Sequence, residues 1–381
     1  MFVLSTLRAG FLPRGERTCA AAACAHGRET AINDSALDAS TVHADGRGAR
    51  VLTLRVMGEH DLAVVDAWFD DGESRRWLGG PGWAAQALAL ADDVDRIQFL
   101  AHDGGVPVVL VDVDVVDGVA GFAFTTRPDR RGRGLAADAV RLVVEHPVLA
   151  HAVMWRTGVE DGDTTSESVL ARVGLVTDGC VDDEGFRTFE AAAVALHARH
   201  LLGRVLHGHG VAARITEVEA YGGIEDPASH GFTRTPRSEI MYGPPWRLYV
   251  YRSYGIHHCV NVVTGPTAQA AAVLVRAGEI VHGEAVARER RGMSIPDAAL
   301  GRGPGNLARA LGLGIADLGS DLTARSGVRL DDRRPIVHDI ACGPRAGVSK
   351  AVDVPWRFWL AGDPTVSTYR RSPRSRCALG E

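Results

Sequence analysis

The chain has 381 residues, 46% hydrophobic and 23% charged, an ordinary balance for globular protein and enough length for two or three domains. Charge is divided: residues 1–186 carry 17 Arg/Lys against 29 Asp/Glu, and residues 187–381 carry 25 against 18, so only the second half suits a polyanion. No apolar run is long enough to span a bilayer, and the single lysine, Lys350, excludes a phosphate loop ending in Lys-Ser/Thr.

Residues 1–50 are rich in Ala, Gly and Arg and lack periodicity; they read as a disordered extension, or as sequence upstream of the true start, without the pattern of a signal peptide. From Val51 onward structure is legible. Leu52, Leu54 and Val56 alternate as in a strand, and Asp61 is placed to cap a helix running through Trp68. Arg75-Arg76-Trp77-Leu78-Gly79-Gly80-Pro81 ends that unit. Residues 83–90 read as a helix, and 97–101 and 106–116 as strands around the turn Asp103-Gly104-Gly105. A strand over 119–125 leads into the Gly/Arg-rich segment 127–136 and an amphipathic helix through Val144. Six cysteines form no CxxC pair, which fits reduced thiols in a cytoplasmic protein.

A strand, a glycine-rich turn and a helix N-terminus make a cradle for pyrophosphate, because backbone N–H groups and the helix dipole both favour an anion. Gly132-Arg133-Gly134-Leu135-Ala136-Ala137 fits a dinucleotide fingerprint, although the polar segment 127–131 separates it from the strand. Arg131, Gly132, Arg133, Gly134 and Ala136 resemble instead the acyl-CoA loop of the GNAT superfamily of N-acyltransferases. So do the run at 75–80 and the later Ser166…Leu170…Val173-Gly174-Leu175. That resemblance covers about 51–186 and implies a GNAT-like mixed sheet with flanking helices, acetyl-CoA as ligand, and either N-acetyltransferase activity or a regulatory role. Members usually place an Asn shortly before the serine, where this chain has Gly162-Asp163-Thr164-Thr165.

Residues 178–185 are acidic and turn-like, and the sign of the charge changes beyond them, which places a domain boundary near Phe186. Residues 191–202 read as a helix, and 204–206 and 210–221 as paired strands. Within the latter, Ile215, Glu217, Glu219 and Tyr221 alternate onto one face. Two carboxylates and a tyrosine there, with His230 beyond the turn-rich 222–227, fit a catalytic site or a solvated strand face. Residues 247–263 read as a β-hairpin with Tyr254-Gly255 at its tip and Tyr249 and Tyr251 on one face. An aromatic core is one reading of these tyrosines. A tip tyrosine is harder to bury, and an aromatic wedge beside a basic surface suits insertion between stacked bases. In the apolar strand 271–277, Arg276 shares a face with Leu274 and needs an acidic partner, for which the carboxylates at 217 and 219 are the candidates. Gly303-Pro304-Gly305-Asn306 opens a short helix over 307–311, 343–350 is a glycine-rich turn region, and Trp356, Phe358 and Leu360 alternate as a final core strand.

In order along about 189–371, the runs E-V-E-A-Y with D-P-A-S-H, T-P-R-S-E-I-M-Y-G-P-P, L-Y-V-Y-R-S-Y-G-I-H-H-C-V-N-V-V, V-L-V-R-A and G-P-G-N-L resemble the alkyladenine (3-methyladenine) DNA glycosylase family. Trp246 departs from the pattern, since members commonly carry glycine there. The resemblance implies an α/β (α+β) domain over 187–381 with a curved antiparallel sheet and a protruding β-hairpin. It implies double-stranded DNA with damaged purines as partner, no cofactor, and hydrolysis of the N-glycosidic bond of a flipped nucleotide. By the same resemblance Glu219 activates water and Arg276 helps to position it. Tyr221, His230 and Tyr251 stack on and contact the flipped base, Asn261 discriminates against the exocyclic amine of guanine, and Tyr254 fills the gap left in the stack.

A damaged purine with a cationic or weakened bond leaves readily, so this chemistry needs a water, a base and an aromatic slot more than a strong acid. Glu217 is left either as a like-charged neighbour of Glu219 or at the rim in a surface pair. A Schiff-base lyase step would depend on Lys350 alone, so a monofunctional, monomeric, cytoplasmic and nucleoid-associated glycosylase is expected, with no membrane partner. Three rivals bear weighing. A sugar O-glycosidase needs carboxylates that flank a bond, whereas positions i and i+2 of one strand point the same way. A zinc deaminase needs Pro-Cys-x-x-Cys beside His282-Gly283-Glu284, and the chain has none, so no metal is expected. The third is an N-acetyltransferase with a non-catalytic DNA-binding C-terminal module.

Overall fold

The computed structural model describes residues 39–45, 48–78, 80–89, 96–253, 255–331, 337 and 339–373; residues 1–38 of the expected extension and Tyr254 lie outside that set. Residues 39–45 and 48–50, also assigned to the extension by composition, stand in strands.

The first sheet takes its seven strands in chain order. They are β1 (Ala39–Asp45), β2 (Gly48–Val56), β3 (Arg96–Asp103), β4 (Val106–Val116), β5 (Val119–Thr126), β6 (Met154–Glu160) and β7 (Phe186–Ala192). Helices α1 (Leu62–Asp66), α2 (Gly72–Leu78) and α3 (Trp83–Ala89) fill the β2–β3 connection, α4 (Leu135–Val144) crosses from β5 to β6, and α5 (Thr164–Val173) lies between β6 and β7. Within this sheet only β5 and β6 pair in parallel, across the crossover helix α4; the helices before β3 and β7 return the chain to antiparallel neighbours. One parallel pair in an otherwise antiparallel sheet rules out the doubly wound dinucleotide fold and gives the mixed sheet of the GNAT-like expectation. Leu135, Ala139, Val140 and Val143 bury the inner face of α4 in the first core. Asp61 does not cap the helix after it. Its carboxylate accepts instead from Gly58 N–H (3.0 Å) and from the Arg55 guanidinium, a charge-assisted pair that turns it away from the following helix.

In the second half come α6 (Ala193–Leu201), β8 (Val205–Gly208), β9 (Val211–Tyr221), β10 (Leu248–Ser253), β11 (His257–Val263), β12 (Ala272–His282), α7 (Glu284–Arg291), α8 (Asp297–Leu300), α9 (Pro304–Leu311), β13 (Arg329–Leu330), β14 (Ile340–Gly343) and β15 (Arg357–Leu360). The strand order is β10-β11-β12-β9-β15-β14, all antiparallel, with β8 paired to the first part of β9 and β13 to β8. Helix α9, apolar at Leu307, Ala308, Ala310 and Leu311, closes the core side of this sheet.

Strand β7 belongs to the first sheet, pairing with β6 from Phe186 to Ala192, so the following helix begins at Ala193 rather than 191. Helix α6 is shared. Ala193 and Leu196 pack in the first core, whereas Val194, Ala195, Ala198 and Leu201 pack in the second. His200 Nδ1 lies 3.0 Å from Glu145 Oε1, just past the end of α4, joining the two halves by a buried pair.

Trp246, the departure noted in the sequence, adopts φ +62°, the left-handed region that favours glycine. A side chain there costs about 1–2 kcal/mol. Its indole is edge-on to His197 at 6.1 Å and beneath the Arg204 guanidinium at 5.6 Å, packing that offsets the cost.

Candidate active site

One rung of the second sheet assembles the site. Tyr249 faces Asn261, Asn261 faces Leu274, Leu274 faces Glu219, and Glu219 faces Arg357. Residues paired across antiparallel strands point to the same side, so five strands deliver these side chains to one face. Arg276 joins them through an irregularity. Val218 faces Val275 but Glu217 faces Ala277, which leaves Arg276 as an extra residue on β12. Ile215 then faces Gly278, which leaves Thr216 as the extra residue on β9. Bulges re-aim side chains, and this one turns Arg276 toward both carboxylates. The same shift corrects the simple alternation of β9: Ile215 is not on the carboxylate face but in the second core with Val218 and Ala220.

Glu219 is 0% exposed. Its Oε2 accepts from the Tyr221 hydroxyl at 2.8 Å; its Oε1 accepts from Ala346 N–H at 2.6 Å and lies 3.3 Å from Arg276 Nη1. Burial and the adjacent Glu219 charge push the Tyr221 phenol well above its ordinary value, so it stays a donor. Burial would lower the Arg276 pKa, but the charges of Glu219 and Glu217 outweigh it and the net direction is up.

Glu217 is also 0% exposed, which removes it from the rim. Its Oε1 accepts from Arg276 Nε (2.9 Å), Arg357 Nε (2.6 Å) and the Ser367 hydroxyl (2.9 Å), and its Oε2 from Ser367 N–H (2.7 Å). Burial alone would raise its pKa; the Arg276 charge and the bonds from Arg357 and Ser367 reverse that, so Glu217 is held ionised below the usual range.

Above these carboxylates opens a cavity of about 670 Å³ lined by Tyr221, His230, Tyr251, Asn261 and Arg276, which brings together the residues singled out in the sequence. The ring centroids of His230 and Tyr251 are 4.6 Å apart at 76°, an edge-to-face contact. His230 Nδ1 is 2.9 Å from the Tyr249 hydroxyl. Burial and the nearby Arg237 push the imidazole down to about 4, so it is neutral at neutral pH. Asn261 donates its Nδ2 to the Tyr249 carbonyl at 3.1 Å, which fixes the orientation of its amide. Arg237, Arg252, Arg370 and Lys350 make the lining basic, as a phosphate-bearing ligand requires. Tyr254, at the hairpin tip between Ser253 and Gly255, is outside the described residues.

Two supporting residues escape sequence reasoning. Arg345, 1% exposed, donates to both Asp226 oxygens (2.5 and 2.9 Å) and to the Ala220 carbonyl (3.0 Å), and its guanidinium lies 4.8 Å from the Tyr221 ring centroid. Asp226 also accepts from Gly222 N–H at 3.0 Å, so one ion pair ties down both the turn and the tyrosine ring. Arg345 sits in a glycine-rich turn, where nothing marks it as buried. Arg357 carries the signal that exposed Arg276, an arginine inside an apolar strand, and could have been found by it.

The first half has its own cavity, of about 470 Å³. Strands β5 and β6 pair only at Val119–Gly121 with Met154–Arg156, and beyond that the cavity is lined from both strands and by Arg131, Gly132, Arg133, Gly134 and Ala136. Gly132 (φ +71°) and Gly134 (φ +79°) are left-handed, turning the loop into the N-terminus of α4. Arg131 is already engaged: Nη1 is 2.8 Å from both Asp71 and Glu73, and Nη2 is 2.6 Å from the Ser74 hydroxyl. It ties the loop to α2.

A family model described as methylpurine-DNA glycosylase matches residues 188–364. A Mycolicibacterium paratuberculosis protein described as a 3-methyladenine DNA glycosylase is 52% identical over 185 residues, covering 47% of this chain and 89% of that protein. One from Nocardia farcinica with the same description is 53% identical over 186 residues, covering 47% and 88%. Among solved structures, Mycobacterium smegmatis RimJ in complex with CoA-disulfide is similar with 18% identity and a TM-score of 0.34, covering 40% of this chain and 85% of that one. Half-identity along nearly the whole length of such relatives, over the segment that builds the second sheet and its cavity, shows that the chain belongs through its C-terminal half to the methylpurine-DNA glycosylase family.

Proposed function

We propose that the C-terminal half releases alkylated or deaminated purines, 3-methyladenine among them, from double-stranded DNA by hydrolysis. The observation that carries this reading is Glu219: a completely buried carboxylate, paired with Arg276, directly beneath a cavity walled by Tyr221, His230 and Tyr251. A flipped purine takes the aromatic slot, where electron-rich rings favour a cationic base by roughly 0.5–2 kcal/mol. Water held between Glu219 and Arg276 gives a proton to Glu219 as its oxygen bonds to C1′. The N-glycosidic bond breaks, and its electron pair leaves with the base. Asn261, its amide fixed by the bond to the Tyr249 carbonyl, would refuse an exocyclic amine, and Tyr254 would take the place vacated in the stack.

The reaction ends at an intact abasic site. Lys350 lines the cavity, but its ammonium lies over the Phe232 ring at 5.7 Å, a position suited to holding phosphate. Incubation with a panel of duplexes, each bearing one methylated, deaminated or etheno purine, should release free base, and borohydride should trap no protein–DNA adduct. No release from any lesion sinks the glycosylase reading; a robust adduct sinks the monofunctional part.

The wedge between β5 and β6 favours a second reading, that the first half binds acetyl-CoA. The left-handed glycines leave open space at Gly132 for a close-approaching phosphate, and the backbone from Gly132 to Gly134 at the start of α4 would hold the pyrophosphate. Bound there, acetyl-CoA would supply an acyl group for transfer to an amine. Calorimetric titration of the full chain with acetyl-CoA should show one site, lost in Gly134→Val, whose side chain is strained at φ +79°. Equal affinity in that variant would mean the ligand does not use this loop.

A further inference from the structure

We propose that Glu217 is the positioning residue for Arg276, setting the guanidinium at the separation from Glu219 at which water is held; this rests on Glu219 being the base. Glu217 is completely buried and takes four hydrogen bonds, from Arg276 Nε, Arg357 Nε and the hydroxyl and N–H of Ser367. Capture of the Nε fixes the plane of the Arg276 guanidinium and leaves Nη1 toward Glu219, at 3.3 Å rather than at the 2.9 Å of the bond to Glu217. Arg276 is therefore hydrogen-bonded to the non-reacting carboxylate and paired at longer range with the reacting one.

Charge gives the same result. Glu217, Glu219, Arg276 and Arg357 form a buried cluster of two negative and two positive groups, and Arg357 stands opposite Glu219 on the rung. Without Glu217 both guanidiniums are left with Glu219 as their carboxylate, and a direct fork between Arg276 and Glu219 is the arrangement such groups prefer. That fork would occupy the oxygen that must take the proton. Glu217 is in this sense what keeps the base available.

The alternative is that Glu217 only cements β9 to the segment from Arg357 to Ser367. The two roles separate in a cycle of Glu217→Gln, Arg276→Ala and the double variant. Single-turnover base release, affinity for lesion duplex and thermal melting are measured on each, with Glu219→Gln as the reference. Positioning predicts a rate about 10²-fold lower in Glu217→Gln at unchanged duplex affinity. It also predicts that the double variant is no more than about twofold slower than Arg276→Ala alone. A Glu217→Gln rate equal to the parent, or losses that multiply in the double variant, overturns the proposal.

If Glu217→Gln does not melt cooperatively, Ser367→Ala replaces it. That change removes the hydroxyl bonded to Glu217 and 3.4 Å from Arg276 Nη2, and should slow release about tenfold at unchanged affinity. A parental rate in Ser367→Ala likewise overturns the proposal. Activity surviving in Glu219→Gln would instead remove the reading of the base on which it rests.

Discussion

Glu219→Gln should reduce single-turnover base release by about 10²–10⁴-fold, the range spanned by general acid–base catalysis, while lesion-duplex affinity stays close to that of the parent. The substitution is nearly isosteric. Tyr221 and Ala346 both donate to Glu219, and one of its two oxygens remains as an acceptor in the amide. What is lost is the negative charge beside Arg276 and, in the proposed mechanism, the group that takes the proton. Binding is carried elsewhere, by the aromatic walls and the basic lining, so affinity and rate should separate. A variant that binds and still releases base at a parental rate would place the base elsewhere in the cavity.

The largest effect on stability is expected from Asp226→Ala. Arg345 is 1% exposed and Asp226 5%, and the substitution strands the guanidinium in the interior. Removing one partner of a buried pair typically costs about 3–5 kcal/mol, most of it the cost of the charge left behind. Gly222 N–H loses its acceptor as well. Urea unfolding should show a lower midpoint with little change in slope. Because Arg345 also lies over the Tyr221 ring, any folded fraction should hold purine more weakly. A midpoint within error of the parent would mean that water or a shifted main chain readily replaces the carboxylate.

Periodicity and turn chemistry carried most of the fold. The hairpin of β10 and β11, the strand that bears Glu219 and the crossover to α4 could all be read from alternation and glycine placement, which are local properties. The split at β7 and α6 could not, because Ala191 and Ala192 suit a helix and only pairing with β6 draws them into a strand. The positions of Glu217 and Ile215 were hidden for a related reason. Alternation alone assigns them to one face, and the compensating bulges at Thr216 and Arg276 that separate them exist only once β9 and β12 are paired. The motifs named the aromatic wall and its carboxylates, but Arg345, which lies over Tyr221, and Arg357, which holds Glu217, arrive from a segment more than a hundred residues later. The burial of Arg345, in a glycine-rich turn, is a tertiary fact.

Helix α6 also determines how the molecule can come apart. It lends Leu196 to one core and Val194, Ala198 and Leu201 to the other, so neither half can release it without opening its neighbour. A chain cut at Phe186 would keep β7 but lose β6, leaving a bare strand edge of the kind that invites aggregation. The two halves thus share a fate in proteolysis and heat. The C-terminal half inherits the robustness, or the fragility, of the first sheet.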